Sequence, residues 1–314
     1  MIQQGQFVER VNCMKKVLFL IPILAMTVLA GCNTNKQNTN SSSEENSETT
    51  STTSGGKTSS TTSSGNTTSV EVSQVSWDSG TEGNYDGYYS GIAKSLTGTS
   101  LLSALHTLIN NSGVSVSYDW SRYEAADEDP NNKSNVLLVY ARLSMSKSQH
   151  DKGSAAFCWN REHTFPQSKM SDTQSKSDNH IIFASEKTVN AARGNLKMGV
   201  VDGGNVVNDF NGNATTCRKT PSLFDPHNQA RGIVARTTMY AAAMYNFDPE
   251  DNFESIETML EWHINYAADS FDMIRNNTVY GNQHNRNPFV DHPEMGCKIW
   301  GNTSNKTREL CGIN

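Results

Sequence analysis

Apolar spacing along the chain is concentrated beyond residue 70. Leu101, Leu102, Leu105, Leu108 and Ile109 recur at helical spacing over residues 99–111, and Gly113 supplies a stop. The unbroken run Val136 to Tyr140 predicts a buried strand. Between them, residues 123–133 carry Glu124, Asp127, Glu128 and Asp129 and read as a loop with a solvated acidic face. Ser185 is placed to cap a short helix through Val189, Asn190 and Arg193, which Gly194 closes. Gly203, Gly204 and Gly212 among several Asn predict a loop or hairpin over residues 202–213. Ile233, Thr237, Tyr240 and Met244 share one face of an amphipathic helix over residues 232–246, and Phe253, Ile256, Leu260 and Ile264 mark another. The pattern predicts a mostly helical α+β body in a single domain, residues 70–314, with a few short strands and no internal repeat.

The first seventy residues have a different character. Lys15 and Lys16 precede an apolar run, Val17 to Met26, that is short for a membrane span and has the layout of a signal peptide. Its end, Leu29-Ala30-Gly31-Cys32, resembles a bacterial lipobox, which implies cleavage before Cys32 and lipidation of its sulfur. Residues 1–31 are therefore expected to be a leader whose true start is Met14. The alternative is an uncleaved N-terminal anchor. Residues 33–69 contain 11 Ser and 11 Thr and no apolar side chain, so burial cannot offset their ordering entropy. With Cys32, they are expected to form a lipid-bearing, disordered tether. The folded body would then face outward from the cell membrane or be released from it.

Charge narrows the function classes. With 26 Lys and Arg against 32 Asp and Glu, the net charge of -6 excludes a strongly basic nucleic-acid binder. It leaves open a protein that meets phosphate through a bound cation and a local basic patch; Arg161, Lys169, Lys187, Arg193 and Lys197 are candidates. Four cysteines fall in the body: Cys158, Cys217, Cys297 and Cys311. An even number in an exported chain predicts two disulfides, and the preferred pairing is Cys297 with Cys311 and Cys158 with Cys217. There is no CxxC spacing to suggest zinc or thiol redox chemistry.

The most informative run is Trp159-Asn160-Arg161-Glu162-His163-Thr164-Phe165-Pro166-Gln167-Ser168. Neighbours in a strand point to opposite faces, so a site using both Glu162 and His163 is expected to need a bend, which Pro166 is placed to supply. The run resembles the bacterial endonuclease I family, exported nucleases with a ββα-metal (His-Me) finger. The likeness continues through Asp178-Asn179-His180, residues 188–195, Arg231 to Arg236, Leu260 to His263 and residues 281–294. It departs from the family where Ile181 to Ala184, rather than a nearby proline, follow His180.

The resemblance implies roles for individual residues. His163 matches the general base, Glu162 a metal-binding carboxylate and Asn190 an amide oxygen ligand. Such oxygens suit a hard cation: magnesium, with calcium or manganese as alternatives. Arg161, Arg193 and Asn195 are candidates for gripping substrate phosphate, although Arg193 at a helix end could equally cap or pair. His180 reads as a structural residue or as one that supports the site's ligands from behind, and His263, Arg286, Asp291 and His292 as residues that pin the C-terminal segment. The implied activity is hydrolysis of DNA, and of RNA, by a monomer with little sequence preference, leaving 5′-phosphate ends. Two other readings fit the same residues: a surface lipoprotein binding module on an inactive nuclease scaffold, and a ribonuclease with little action on DNA.

Overall fold

The computed structural model describes residues 82–154 and 156–314, which belong to the compact unit Thr67–Asn314. The expected leader, Cys32, the whole tether and residues 70–81 of the expected body lie outside the described residues. No described helix is long and apolar enough to cross a membrane.

The elements run α1 (Gly98–Ser112), α2 (Trp120–Ala126), β1 (Glu128–Asp129), β2 (Asn132–Leu137), β3 (Ser144–Ser146), β4 (Trp159–His163), β5 (Ile182–Glu186), α3 (Lys187–Arg193), β6 (Lys197–Met198), β7 (Asn205–Asn208), β8 (Ala214–Lys219), β9 (Leu223–Asp225), α4 (Asn228–Tyr245), α5 (Ile256–Asn265), α6 (Ser270–Gln283), α7 (Pro288–Asp291), α8 (Glu294–Trp300) and α9 (Asn305–Leu310). The fold is α+β. Its strands form three small sheets, ordered β1-β2-β3, β4-β5 and β6-β9-β8-β7.

Local signals explain much of this. In α1, Leu101, Leu105 and Ile109 are fully buried at four-residue spacing. The expected hairpin exists, with β7 and β8 antiparallel around a turn at Gly212. The helix foreseen at residues 253–264 is α5, which begins later, at Ile256, because Phe253 bridges Met198 and Ser255 caps the helix. The amphipathic reading of residues 232–246 needs correction, because α4 is buried on every side from Gly232 to Met244. It is the central helix of the main core, and Gly232 is required there: a Cβ would lie 2.0 Å from the Tyr266 carbonyl.

The acidic stretch is the largest correction. Residues 120–126 are helical, and Asp127 has no exposed surface. Its Oδ1 accepts from Arg275 Nε at 2.6 Å and its Oδ2 from the Ala184 backbone N–H at 2.6 Å. The same guanidinium donates to the Asn179 and Ile182 carbonyls and lies over the Phe183 ring. Arg275 thus ties α6 to both ends of the α2–β5 contact, a pairing no local pattern announces. The expected strand at residues 136–140 is shifted, with β2 ending at Leu137 and the chain from Leu138 entering a buried turn that the Arg142 N–H closes on the Leu138 carbonyl.

The cysteines divide. Cys297 and Cys311 form a disulfide with Cα atoms 5.7 Å apart. Cys158 and Cys217 are both free and buried, so the second expected bridge is absent. Cys217 sits in the main core and donates to the Tyr140 carbonyl, whereas Cys158 precedes β4.

Two outcomes test this account. Arg275→Met leaves the Asp127 carboxylate buried without its cation and should cost about 3–5 kcal/mol in chemical denaturation; a loss below about 1 kcal/mol would contradict the pairing. Alkylation of the unfolded, non-reduced protein should label Cys158 and Cys217 and spare Cys297 and Cys311, whereas a linked Cys158–Cys217 peptide would contradict the free thiols.

Candidate active site

Strand β4 pairs antiparallel with β5, with Glu162 opposite Phe183 and His163 opposite Ile182. Alternation sends Asn160 and Glu162 to one face and Trp159, Arg161 and His163 to the other. The pair separates two apolar clusters: Phe183 belongs to the main core, and Trp159, Ile182 and Ala184 to a smaller one with Tyr123, Val136, Leu138 and Met145. The β4–β5 register is regular throughout, and His163 is the last residue of β4.

Helix α3 follows β5 directly and lies against the Asn160–Glu162 face. Its cap is Glu186, whose Oε2 accepts from the Val189 N–H at 2.8 Å, one residue later than the expected Ser185, which is buried within β5. Gly194 closes the helix at φ 51°. Asn190 and Arg193, three residues apart, share the face turned to β4. Asn190 Nδ2 donates to Asn160 Oδ1 at 2.8 Å, and Arg193 Nη1 donates to Glu162 Oε1 at 3.0 Å. These two cross-links bring Glu162 and Asn190 to the same interface. With its amide nitrogen engaged by Asn160, Asn190 keeps Oδ1 as an electron-pair donor.

Arg193 requires a correction. It is 1% exposed, and besides Glu162 it donates to the His163 and Thr164 carbonyls and to Asn252 Oδ1. With both terminal nitrogens committed to four internal acceptors, the guanidinium is placed to orient the site rather than to reach out to a substrate phosphate; its Nε has no hydrogen-bond partner among the described residues. Glu162 Oε1 also accepts from the Tyr140 hydroxyl at 2.7 Å. Burial raises the Glu162 carboxyl above the usual range, while Arg193 and Tyr140 pull it back down.

On the opposite face, His163 Nε2 lies 3.0 Å from the Lys176 carbonyl oxygen. A carbonyl only accepts, so Nε2 carries the proton in the neutral ring and Nδ1 holds the lone pair. Burial is the main cause holding His163 below the ordinary imidazole value; the Lys176 carbonyl opposes it, and the Arg161 and Arg193 cations reinforce it. The ring is therefore neutral, with Nδ1 available as a base, at neutral pH.

The donors fit a hard cation. Both side-chain hydrogen bonds to Glu162 fall on Oε1, and Asn190 adds a neutral oxygen on the same side. No cluster of three or more His, Cys, Asp or Glu forms a cage among the described residues. A cation here would therefore keep several waters, as magnesium does.

The remaining expected residues are distributed around this centre. Asn195 is exposed in the turn after α3 and lines a cleft of about 380 Å³ with Asn205, Lys219 and Thr220. In the expected basic patch, Lys169 is paired with Asp251 at 2.7 Å and Lys187 with Asp151 at 3.0 Å. That leaves Arg161 and the exposed Lys197 without a described carboxylate partner. His180 is structural: its Nε2 meets the Asn285 carbonyl at 3.1 Å, and burial pushes it down to about 4. His263 behaves likewise against the Pro293 carbonyl. Arg286 pairs with Asp291, and His292 packs on the Tyr85 and Tyr89 rings, which holds the C-terminal segment to the N-terminal one.

A family model described as Endonuclease I matches residues 97–294. The chain belongs to the endonuclease I family. The extracellular ribonuclease of Bacillus subtilis (strain 168) is 33% identical to it over 243 residues, covering 68% of this chain and 78% of that protein. The extracellular ribonuclease of Bacillus amyloliquefaciens is 31% identical over 236 residues, covering 66% and 76%. Membership in the endonuclease I family makes the chain a nuclease, and nucleic acid its substrate class.

Four residues of this endonuclease I site escape a reading of the motif: Tyr118, Tyr140, Asn160 and Asn252. Asn160 was detectable, since it lies two residues before Glu162 on the same strand face. The others reach the site from distant segments and carry no local signal. The tautomer is checkable by nitrogen-15 NMR at pH 8, where His163 should carry its proton on Nε2; a proton on Nδ1 would contradict the geometry.

Proposed function

We propose that this chain is an exported, metal-dependent endonuclease that hydrolyses the phosphodiester backbone of RNA, and of DNA, with low sequence specificity. The observation that carries the reading is the neutral His163 with Nδ1 available, one residue from Glu162 and on the face of β4 opposite the one that Asn190 of α3 packs against. The β4–β5–α3 unit corresponds in order to the ββα-metal finger that the sequence resemblance implies. In this mechanism His163 Nδ1 takes a proton from water as the water oxygen bonds to phosphorus. The P–O3′ bond then breaks, leaving a 5′-phosphate. Glu162 and Asn190 would hold one magnesium ion, which when bound supplies positive charge against the phosphoryl oxygens and the departing 3′ oxygen. Arg193 and Tyr140 keep the Glu162 carboxylate oriented, and Lys176 keeps His163 in the productive tautomer. Phosphate contacts carry no base information, which supports low specificity.

RNA is included because both curated relatives are named extracellular ribonucleases. Those names, with the leader-like N-terminus, also support export. Lipid attachment at Cys32 and a monomeric state remain part of the proposal.

Purified protein should cleave an RNA transcript and a plasmid with magnesium, and EDTA should abolish both reactions. His163→Ala should lower the rate by about 10²- to 10⁴-fold, the usual contribution of a general base. Equal cleavage by His163→Ala, or by EDTA-treated protein, would refute the mechanism. Intact nucleic acid under every condition would favour the binding-module reading.

A further inference from the structure

The face of β4 that bears His163 carries a feature the mechanism leaves unused. The Arg161 guanidinium carbon lies 3.7 Å from the centre of the Tyr118 ring and 4.0 Å from that of Trp120. Trp120 in turn stacks on His150 at 4.6 Å and 14°. The Tyr118 ring is nearly parallel to His163, 5.9 Å away at 22°. Arg161 Nη1 also donates to the Tyr118 carbonyl at 2.7 Å. The segment bearing Tyr118, residues 113–119, has no regular structure and is tied down by Val114 N–H to the Gln283 carbonyl and by Arg122 to Ser117.

Arg161 is a stacked arginine with no described carboxylate opposite it, in contrast to the arginines that hold the core and the C-terminal segment. Arg142, Arg193, Arg231, Arg236, Arg275 and Arg286 each face a carboxylate. Arg161 pairs with none among the described residues. Aromatic faces restrict a guanidinium without neutralising it, and beyond the Nη1 bond to the Tyr118 carbonyl they leave its other edge donors for a planar or tetrahedral anion. Two residues along a strand span about 6–7 Å, so this cation stands within reach of the phosphate attacked beside His163 or of its neighbour.

We propose that Tyr118 and Trp120 are positioning residues that clamp Arg161 beside His163, so that the edge of its guanidinium binds a backbone phosphate of the substrate strand. The inference rests on the nuclease reading for the location of the reacting phosphate, and on the stack alone for the clamp.

The test measures binding of a fluorescein-labelled single-stranded RNA to the full chain in EDTA across a salt series, together with kcat and KM in magnesium. Arg161→Gln should weaken binding and reduce the slope of log affinity against log salt by about 0.7, the value for one phosphate contact on a single strand. Tyr118→Leu should raise Kd and KM by about five- to tenfold with a smaller effect on kcat, as expected for the loss of a partly desolvated cation–π contact. Tyr118→Phe, which keeps the ring, should rescue that loss. The Tyr118→Leu/Arg161→Gln double variant should bind no worse than Arg161→Gln alone. Arg161→Lys, which keeps the charge and loses the planar edge, should also weaken binding should Tyr118→Leu fail to fold. Unchanged affinity in Tyr118→Leu or Arg161→Lys, or losses that add in the double variant, would overturn the clamp. Wild-type protein that binds RNA in this pattern but cleaves none would overturn the nuclease mechanism and leave the clamp standing.

Discussion

The buried guanidinium of Arg193 is the constraint on which the site's geometry depends. It reaches from the last turn of α3 to the Glu162 carboxylate, to the carbonyls of His163 and Thr164, and to Asn252 just before α5. Those contacts fix the end of β4, the seat of α3 and the orientation of Glu162 at once. A charge this deep is tolerated only when it is paired and hydrogen-bonded. Asn252 is itself held by donating to the Thr238 hydroxyl on α4, so the network runs from the site into the central helix.

Around that anchor, the alternation of a regular strand turns an apparent obstacle into a division of labour. Glu162 faces α3, where burial and Asn190 suit it to an oxygen-rich cation site. His163 faces the other way, where a backbone carbonyl selects its tautomer. Both residues lie at the C-terminal end of β4, which closes at His163. The acidic net charge of the chain then poses less of a problem. Attraction for a polyanion can be local, and Arg161 is the cation in the expected patch that is both stacked in place and free of a described acidic partner.

Much of this was legible in the sequence. The leucine spacing of α1, the apolar positions of α5 and the glycines around the β7–β8 turn are short-range signals that act through local geometry, and each produced the expected element. The Glu162-His163 pair and Asn190 could be singled out because the motifs that carry them are contiguous. What was not legible is contact across long separations. Asp127 looked like a solvent residue because its cation, Arg275, lies 148 positions away. Arg193 could be read as a phosphate ligand or as a pairing residue because its four acceptors come from two segments, residues 162–164 and Asn252, that lie far from it in sequence. The periodicity of α4 described one apolar face, whereas neighbours on all sides bury its polar residues too, with Arg236 paired to Asp272 inside the core. Cysteine parity suggested two bridges, but Cys217 is placed by packing against Tyr140.

The central claim is that Arg193 organises the site without touching substrate. It is tested most directly by Arg193→Lys in steady-state cleavage of RNA, with binding measured across a salt series. The account predicts a lower kcat, with KM and the salt slope unchanged, because the loss falls on the orientation of Glu162 and His163. A raised KM with a shallower salt slope would mean that Arg193 meets phosphate directly, and would contradict the account.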